Sequence, residues 1–159
     1  MIAGYDPRIF LGLGTNLGDR EANLVQAKDL LMKKGVMVVG QSEVRETKPM
    51  YDAPQPDYLN QVVECRSNLE PVELLMACEA VEKEMGRDMK RKGIGESRVI
   101  DIDILFYDTE VVVAPRLDIP HRGTFNRRFF LEGMNDLAPD FVHPLVKEEI
   151  RDMLINLKS

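Results

Sequence analysis

Cysteine is scarce in this chain: Cys65 and Cys78 sit in unrelated contexts with no partner motif. A single structural disulfide could form, but two reduced, half-buried thiols are expected. Positive charge is also in deficit, at a net −6, which argues against bulk electrostatic binding to nucleic acid. An anionic ligand would need a local basic cluster instead. No stretch approaches the ~18 apolar residues that suggest a membrane span. The opening MIAGYDPRIFLGLG has no basic start followed by a long apolar run, so no secretory signal and a cytoplasmic location are expected. There is no G-x-x-x-x-G-K-[ST], which excludes a P-loop enzyme. Gly12-Leu13-Gly14 lacks the third glycine of a dinucleotide fingerprint and suits a tight strand-to-helix turn.

What is present fits one domain over residues 1–159, with 44% hydrophobic and 30% charged residues, an ordinary globular composition. Arg8 to Gly14 reads as a buried strand. Leu24, Ala27, Leu30 and Leu31 recur at helical spacing, with a stop near Lys33-Lys34-Gly35. Val36 to Thr47 reads as a second strand and Tyr58 to Cys65 as a third. Between them, Lys48 to Asp57 carries three prolines and is a long loop of the kind that binds something. Leu69 to Met85 is an amphipathic helix opened by Glu70-Pro71. A basic loop, Arg87 to Arg98, leads into a strand over Val99 to Tyr107, and Asp108-Thr109 turns the chain into Glu110 to Val113. A polar loop is expected over Pro115 to Asn126, a helical segment over Arg127 to Leu137 and a final helix over Val146 to Leu157. The order β-α-β-β-α-β is that of a ferredoxin-like α+β fold with a largely antiparallel sheet and extra C-terminal helices, although another α/β arrangement has the same order.

The chemistry concentrates in Arg98-Val99-Ile100-Asp101-Ile102-Asp103-Ile104. Residues two apart on a strand share a face, their Cα atoms roughly 6.6 Å apart. Ile100, Ile102 and Ile104 would face the core, and Asp101 and Asp103 would face away together. Two carboxylates so close repel unless a cation lies between them, and Mg²⁺ commonly takes one or two carboxylates plus substrate phosphates. A random D-x-D is more often a solvated strand face. The apolar flanks and the basic loop just upstream shift the balance, because Arg87, Lys90, Arg91, Lys92 and Arg98, interrupted by Gly93 and Gly95, suit phosphate oxygens. That loop and the Lys48 to Asp57 loop are candidate lids. His121, followed by Arg127 and Arg128, could donate to phosphate or nucleotide, whereas His143 reads as structural. Tyr58 and Asn60 offer an aromatic face beside an amide, and Phe129 a second aromatic face, a combination that can stack and read a flat heterocycle.

LGTNLGDR, QPDYLNQVVE, SRVIDIDILFYD, LDIPH and NRRFFL, in that order and spacing, resemble the 6-hydroxymethyl-7,8-dihydropterin pyrophosphokinase family over nearly the whole chain. The resemblance implies transfer of the β,γ-pyrophosphoryl group of ATP to the pterin's hydroxymethyl oxygen, releasing AMP, in folate biosynthesis. It implies that Asp101 and Asp103 bind two Mg²⁺ ions with ATP and that Arg87 and Arg98 assist the transferring group. Lys90, Glu82, Ile104, His121 and Arg127 would complete the ATP site. Tyr58 and Phe129 would sandwich the pterin, read by Asn60 and the backbone at Thr47, Lys48 and Met50. A monomer acting on small molecules, with no nucleic acid or membrane partner, is expected. The chain departs from the family pattern at Lys48, Glu79, Met89 and Arg122, and its KRKGIGESR loop has no aromatic and an extra residue before Arg98. Another Mg-nucleotide transferase and a non-catalytic regulatory module are the competing readings.

Overall fold

The computed structural model describes residues 7–49, 55–86 and 99–157. Strand β1 (Ile9–Thr15) sends Ile9, Leu11 and Leu13 to one face of the sheet and Phe10 to the other. Helix α1 (Arg20–Lys33) starts where the Asp19 carboxylate accepts the Ala22 N–H at 3.1 Å, which satisfies one of the unpaired donors of its first turn. It buries Leu24, Ala27 and Leu31 and stops before Gly35, whose φ of 86° reverses the chain.

The expected strand over Val36 to Thr47 is instead two, β2 (Met37–Gln41) and β3 (Arg45–Thr47). Ser42 is the reason. Its N–H donates to Val62 O at 2.8 Å, and its hydroxyl accepts the Val62 N–H at 2.9 Å. Both main-chain groups of Val62 are thus satisfied without a ladder. The next N–H, that of Glu43, goes to Asp136 at 3.1 Å, so the chain bends between the two strands. Both pair with β4 (Tyr58–Arg66).

Helix α2 (Pro71–Glu84) opens with Pro at its first position, and the Glu73 carboxylate accepts the Glu70 N–H at 2.9 Å. Strand β5 (Asp101–Tyr107) completes a sheet of order β2-β4-β1-β5, with β3 alongside β4 and every neighbour antiparallel. This is the ferredoxin-like arrangement expected from the element order. α1 and α2 cover one face through Leu24, Leu31, Leu74 and Val81, packed on Leu11, Val63 and Ile102. Cys65 and Cys78 are buried in this layer, and burial pushes the Cys65 thiol up to about 12.

β6 (Val112–Ala114), overlapping the segment expected over Glu110 to Val113, forms a hairpin with β7 (Leu117–Ile119), which lies within the expected loop over Pro115 to Asn126 and is followed by a 3₁₀ turn over Arg122–Phe125. Leu117 and Ile119 are buried and flank Asp118. An alternation only three residues long is too short to register as a period. Helix α3 (Arg128–Leu137) and helix α4 (Ile150–Ile155) cover the second face through Leu131, Met134 and Ile150, against Phe10 and Phe106. Both Leu105 and Phe106 reach this face because the β1–β5 register shifts between Phe10 and Leu11. Among the described residues, no helix is long and apolar enough to cross a membrane.

α4 is much shorter than the helix expected over Val146 to Leu157. The N–H groups of Leu145 and Val146 are taken by His143 Nδ1, each at 3.2 Å, and Lys147 has a φ of 66°. The chain must therefore turn before the helix can start. Burial pushes His143 down to about 4, below the ~6.5 of a free imidazole. The unfolded chain then binds the extra proton first. Stability from this group is complete above pH ~6.5 and is lost as pH falls through about 4. Chemical denaturation from pH 7 to pH 4 should show this decline, and His143→Gln, destabilised at pH 7, should show a flatter slope across that window. Parallel slopes would contradict the assignment.

Candidate active site

Asp101 and Asp103 share the second sheet face, since Ile100, Ile102 and Ile104 pack into the layer beneath α1 and α2. Both are half-buried. Their neighbours on central β1 are glycines: Gly14 pairs with Asp101 and Gly12 with Asp103. On the other side of β1, Gly14 pairs with Asn60. One row across three strands thus reads Asn60, Gly14, Asp101. The two outer Cα atoms stand two strand spacings apart, roughly 10 Å. A Cβ on Gly12 would lie 2.7 Å from Phe130 of α3, and one on Gly14 would lie 3.5 Å from Asn60 Oδ1 and 3.6 Å from the Tyr58 ring. Gly12 seats α3, and Gly14 floors the space between Asn60 and Asp101.

Asn60 is nearly buried and firmly oriented. Its Nδ2 donates to Thr47 Oγ1 at 2.6 Å and to Arg45 O at 3.4 Å. Tyr58 pairs with Thr47 across the β3–β4 ladder, so Thr47, Tyr58 and Asn60 gather at one end of the face, with Lys48 exposed just beyond. Phe129 is half-buried in the first turn of α3, its ring centroid 4.6 Å from that of Phe130. α3 is tied to β3 by Arg45, whose guanidinium forks the Asp136 carboxylate at 2.7 and 3.1 Å. That bond holds Asp136 below the usual carboxylate range and fixes the helix that carries Phe129 relative to the strand that carries Thr47.

On the other flank, Glu82 of α2 is wholly buried, and its carboxylate accepts the Ile102 N–H at 2.8 Å. It therefore grips β5 at the residue between the two aspartates. Since N–H and C=O groups of alternate residues point to the same edge of a strand, the Ile104 peptide is directed outward like that of Ile102. His121 donates its backbone N–H to Leu105 O at 3.0 Å, and its Nδ1 accepts the Gly123 N–H at 2.9 Å. In the neutral ring the proton is therefore on Nε2, which lies 3.6 Å from Asp103 Oδ1.

A cavity of about 380 Å³ opens beside this edge. Ile102, Asp103 and Ile104 form one wall, the β6–β7 hairpin from Ala114 to Asp118 another, and His121, Arg122 and Arg127 the rim. The volume lies within the range of small-molecule pockets. Ile104, His121 and Arg127 are brought together here, while Glu82 lies buried against the strand backbone. The β7 side of this wall was missed in the sequence because Pro115 to Asn126 read as loop. Its Arg116 is ion-paired with Glu79 of α2, and Asp118 faces Arg122 at 3.5 Å. Met50, Arg87, Lys90 and Arg98 lie outside the described residues.

Among the described residues no group of three or more His, Cys, Asp and Glu side chains could hold a metal ion. The donors at hand are two carboxylates on one face over a glycine floor. Mg²⁺ bound together with a polyphosphate uses one or two carboxylates and takes its other oxygens from phosphate and water, so this donor set fits it.

Sheet order defines an α+β protein of the ferredoxin-like kind, with the candidate site on the sheet face that also carries α3. The family model described as 7,8-dihydro-6-hydroxymethylpterin-pyrophosphokinase matches residues 10–139, and the chain belongs to that family. It is 38% identical over 151 residues to the 2-amino-4-hydroxy-6-hydroxymethyldihydropteridine pyrophosphokinase of Methylorubrum extorquens, covering 94% of this chain and 93% of the relative. It is 36% identical over 151 residues to a folic acid synthesis protein of Schizosaccharomyces pombe, covering 94% of this chain but 20% of the relative. The chain thus spans about a fifth of the length of such fungal relatives. The crystal structure of wild-type HPPK-DHPS from Plasmodium falciparum superposes with a TM-score of 0.73 at 16% identity, over 94% of this chain and 44% of that one, a likeness of fold.

Proposed function

We propose that this chain transfers the β,γ-diphosphoryl group of ATP to the hydroxymethyl oxygen of 6-hydroxymethyl-7,8-dihydropterin, releasing AMP, in folate biosynthesis. The alcohol oxygen attacks the β-phosphorus, the bond from that phosphorus to the α,β-bridging oxygen breaks, and AMP leaves with the bridging oxygen. The hydroxyl proton passes to solvent. The carrying observation is the row Asn60, Gly14, Asp101, which sets a heterocycle-reading amide and a metal-suited carboxylate on one face either side of a glycine.

In this reading Tyr58 and Phe129 stack the pterin, and Asn60 with the backbone at Thr47, Lys48 and Met50 reads its edge. The nucleotide occupies the cavity by β5, with its base against the Ile104 peptide and its phosphates within reach of His121 and Arg127. Glu82 serves this site from beneath, through the backbone of β5. Arg87, Lys90 and Arg98 add positive charge along the phosphates. Asp101 and Asp103 would hold two Mg²⁺ ions, which would neutralise phosphate charge on the triphosphate. In-line transfer depends on such positioning and charge balance more than on a strong protein base.

Nucleotide chromatography after incubation with ATP and Mg²⁺ tests the reading. AMP should accumulate with the hydroxymethyl pterin and not with a 6-methyl pterin that has no hydroxyl. ADP as the product would point to another phosphotransferase, and no nucleotide turnover to a binding module.

A further inference from the structure

Behind the cavity rim runs a buried polar chain that the proposed reaction does not use. His143 and Thr124 are both 0% exposed. His143 Nδ1 accepts the N–H groups of Leu145 and Val146 at 3.2 Å each, so the neutral ring carries its proton on Nε2. That Nε2 is 2.9 Å from Thr124 Oγ1. Thr124 Oγ1 in turn donates to His121 O at 2.6 Å. Every donor is thereby assigned, and the direction runs from His143 through Thr124 to the residue whose Nε2–H points toward Asp103. The phenyl rings of Phe125 and Phe106 enclose the His143 imidazole, with centroids at 4.8 and 5.3 Å, and burial keeps it neutral at ordinary pH.

We propose that Thr124 and His143 are positioning residues for His121: their buried hydrogen-bond chain holds the His121 imidazole so that its Nε2–H meets the phosphates of the bound nucleotide. The proposal rests on the reading that the nucleotide occupies the cavity rimmed by His121. A hydroxyl and an imidazole buried among phenyl rings specify one arrangement only when fully paired, and here the pairing ends on the main chain of a residue at the cavity rim. The alternative is that the pair merely fastens the C-terminal segment to the sheet.

A double-mutant cycle on the full chain separates the two, with Mg²⁺ and α,β-methylene-ATP as the calorimetric probe. His121→Ala should weaken binding about tenfold and Thr124→Val about fivefold, the scale of one hydrogen bond. In the His121→Ala background Thr124→Val should have no further effect, and Thr124→Ser should restore native affinity. His143→Asn supplies a second route should the valine variant not fold. Its Oδ1 can still accept from Leu145 and Val146, but its side chain is too short to reach Thr124, so binding should weaken about fivefold with the C-terminal turn retained. With turnover, KM for ATP should rise in these variants while KM for the pterin stays.

Equal weakening by Thr124→Val in both backgrounds, or lowered melting temperature with native affinity in Thr124→Val and His143→Asn, would overturn the proposal. If His121→Ala binds the probe normally while the native chain releases AMP, the positioning proposal fails and diphosphoryl transfer stands. If the native chain neither binds the probe nor releases AMP, the underlying reading fails.

Discussion

Asp101→Ala and Asp103→Ala are each expected to lower kcat/KM about a thousandfold, in line with removal of a preorganised charge-stabilising group, while leaving the fold in place. The separation follows from the geometry of β5. Its core contacts come from Ile102, Ile104 and Tyr107, with Ile100 just before it, on the face away from the carboxylates, and from Leu105 and Phe106 further along the strand on the other face. Its backbone is held by the β1 ladder and by Glu82 at Ile102. Neither hold involves an aspartate side chain. Circular dichroism spectra of both variants should therefore match that of the native chain. Steady-state kinetics beside circular dichroism and thermal melts decide the matter. Unfolding of both variants would assign the pair a structural role, and undiminished turnover would remove it from the site.

Asn60→Leu should raise KM for the pterin about a hundredfold and leave the affinity for ATP unchanged. Leucine is close to asparagine in size, so the loss would be chemical. A site built to pair a polar heterocycle edge discriminates strongly once a partner is deleted and the remaining polar groups stay unpaired. The amide is oriented by Thr47 and by the carbonyl of Arg45, so Thr47→Val should produce a smaller rise in the same constant. Pterin saturation curves at fixed high ATP measure both. A parallel rise in KM for ATP would show that Asn60 supports the sheet rather than reads a substrate.

Much of this site was open to inspection in the linear chain because strand alternation is strict. Asp101 and Asp103 had to share a face once Ile100, Ile102 and Ile104 were assigned to the core, and Tyr58 and Asn60 had to share one likewise. What the chain could not supply is register. Only pairing of β1 with both β4 and β5 sets Asn60 and Asp101 opposite the same residue, Gly14. The β7 side of the cavity wall escaped notice because that strand is three residues long. The break at Ser42 was equally invisible, since it depends on a hydroxyl meeting Val62 from a strand distant in sequence. His143 read as structural for want of local company, yet its partner Thr124 lies 19 residues upstream. Tertiary hydrogen bonds of this kind leave no periodicity.

Radiolabelled ATP tests whether two phosphoryl groups move together from nucleotide to pterin. With Mg²⁺, the pterin and ATP labelled in separate reactions at the β- or the γ-phosphorus, either label should appear in the pterin product, in equal molar amount to AMP. Label from the γ position alone, with ADP as the accompanying nucleotide, would show transfer of a single phosphoryl group and rule out diphosphoryl transfer.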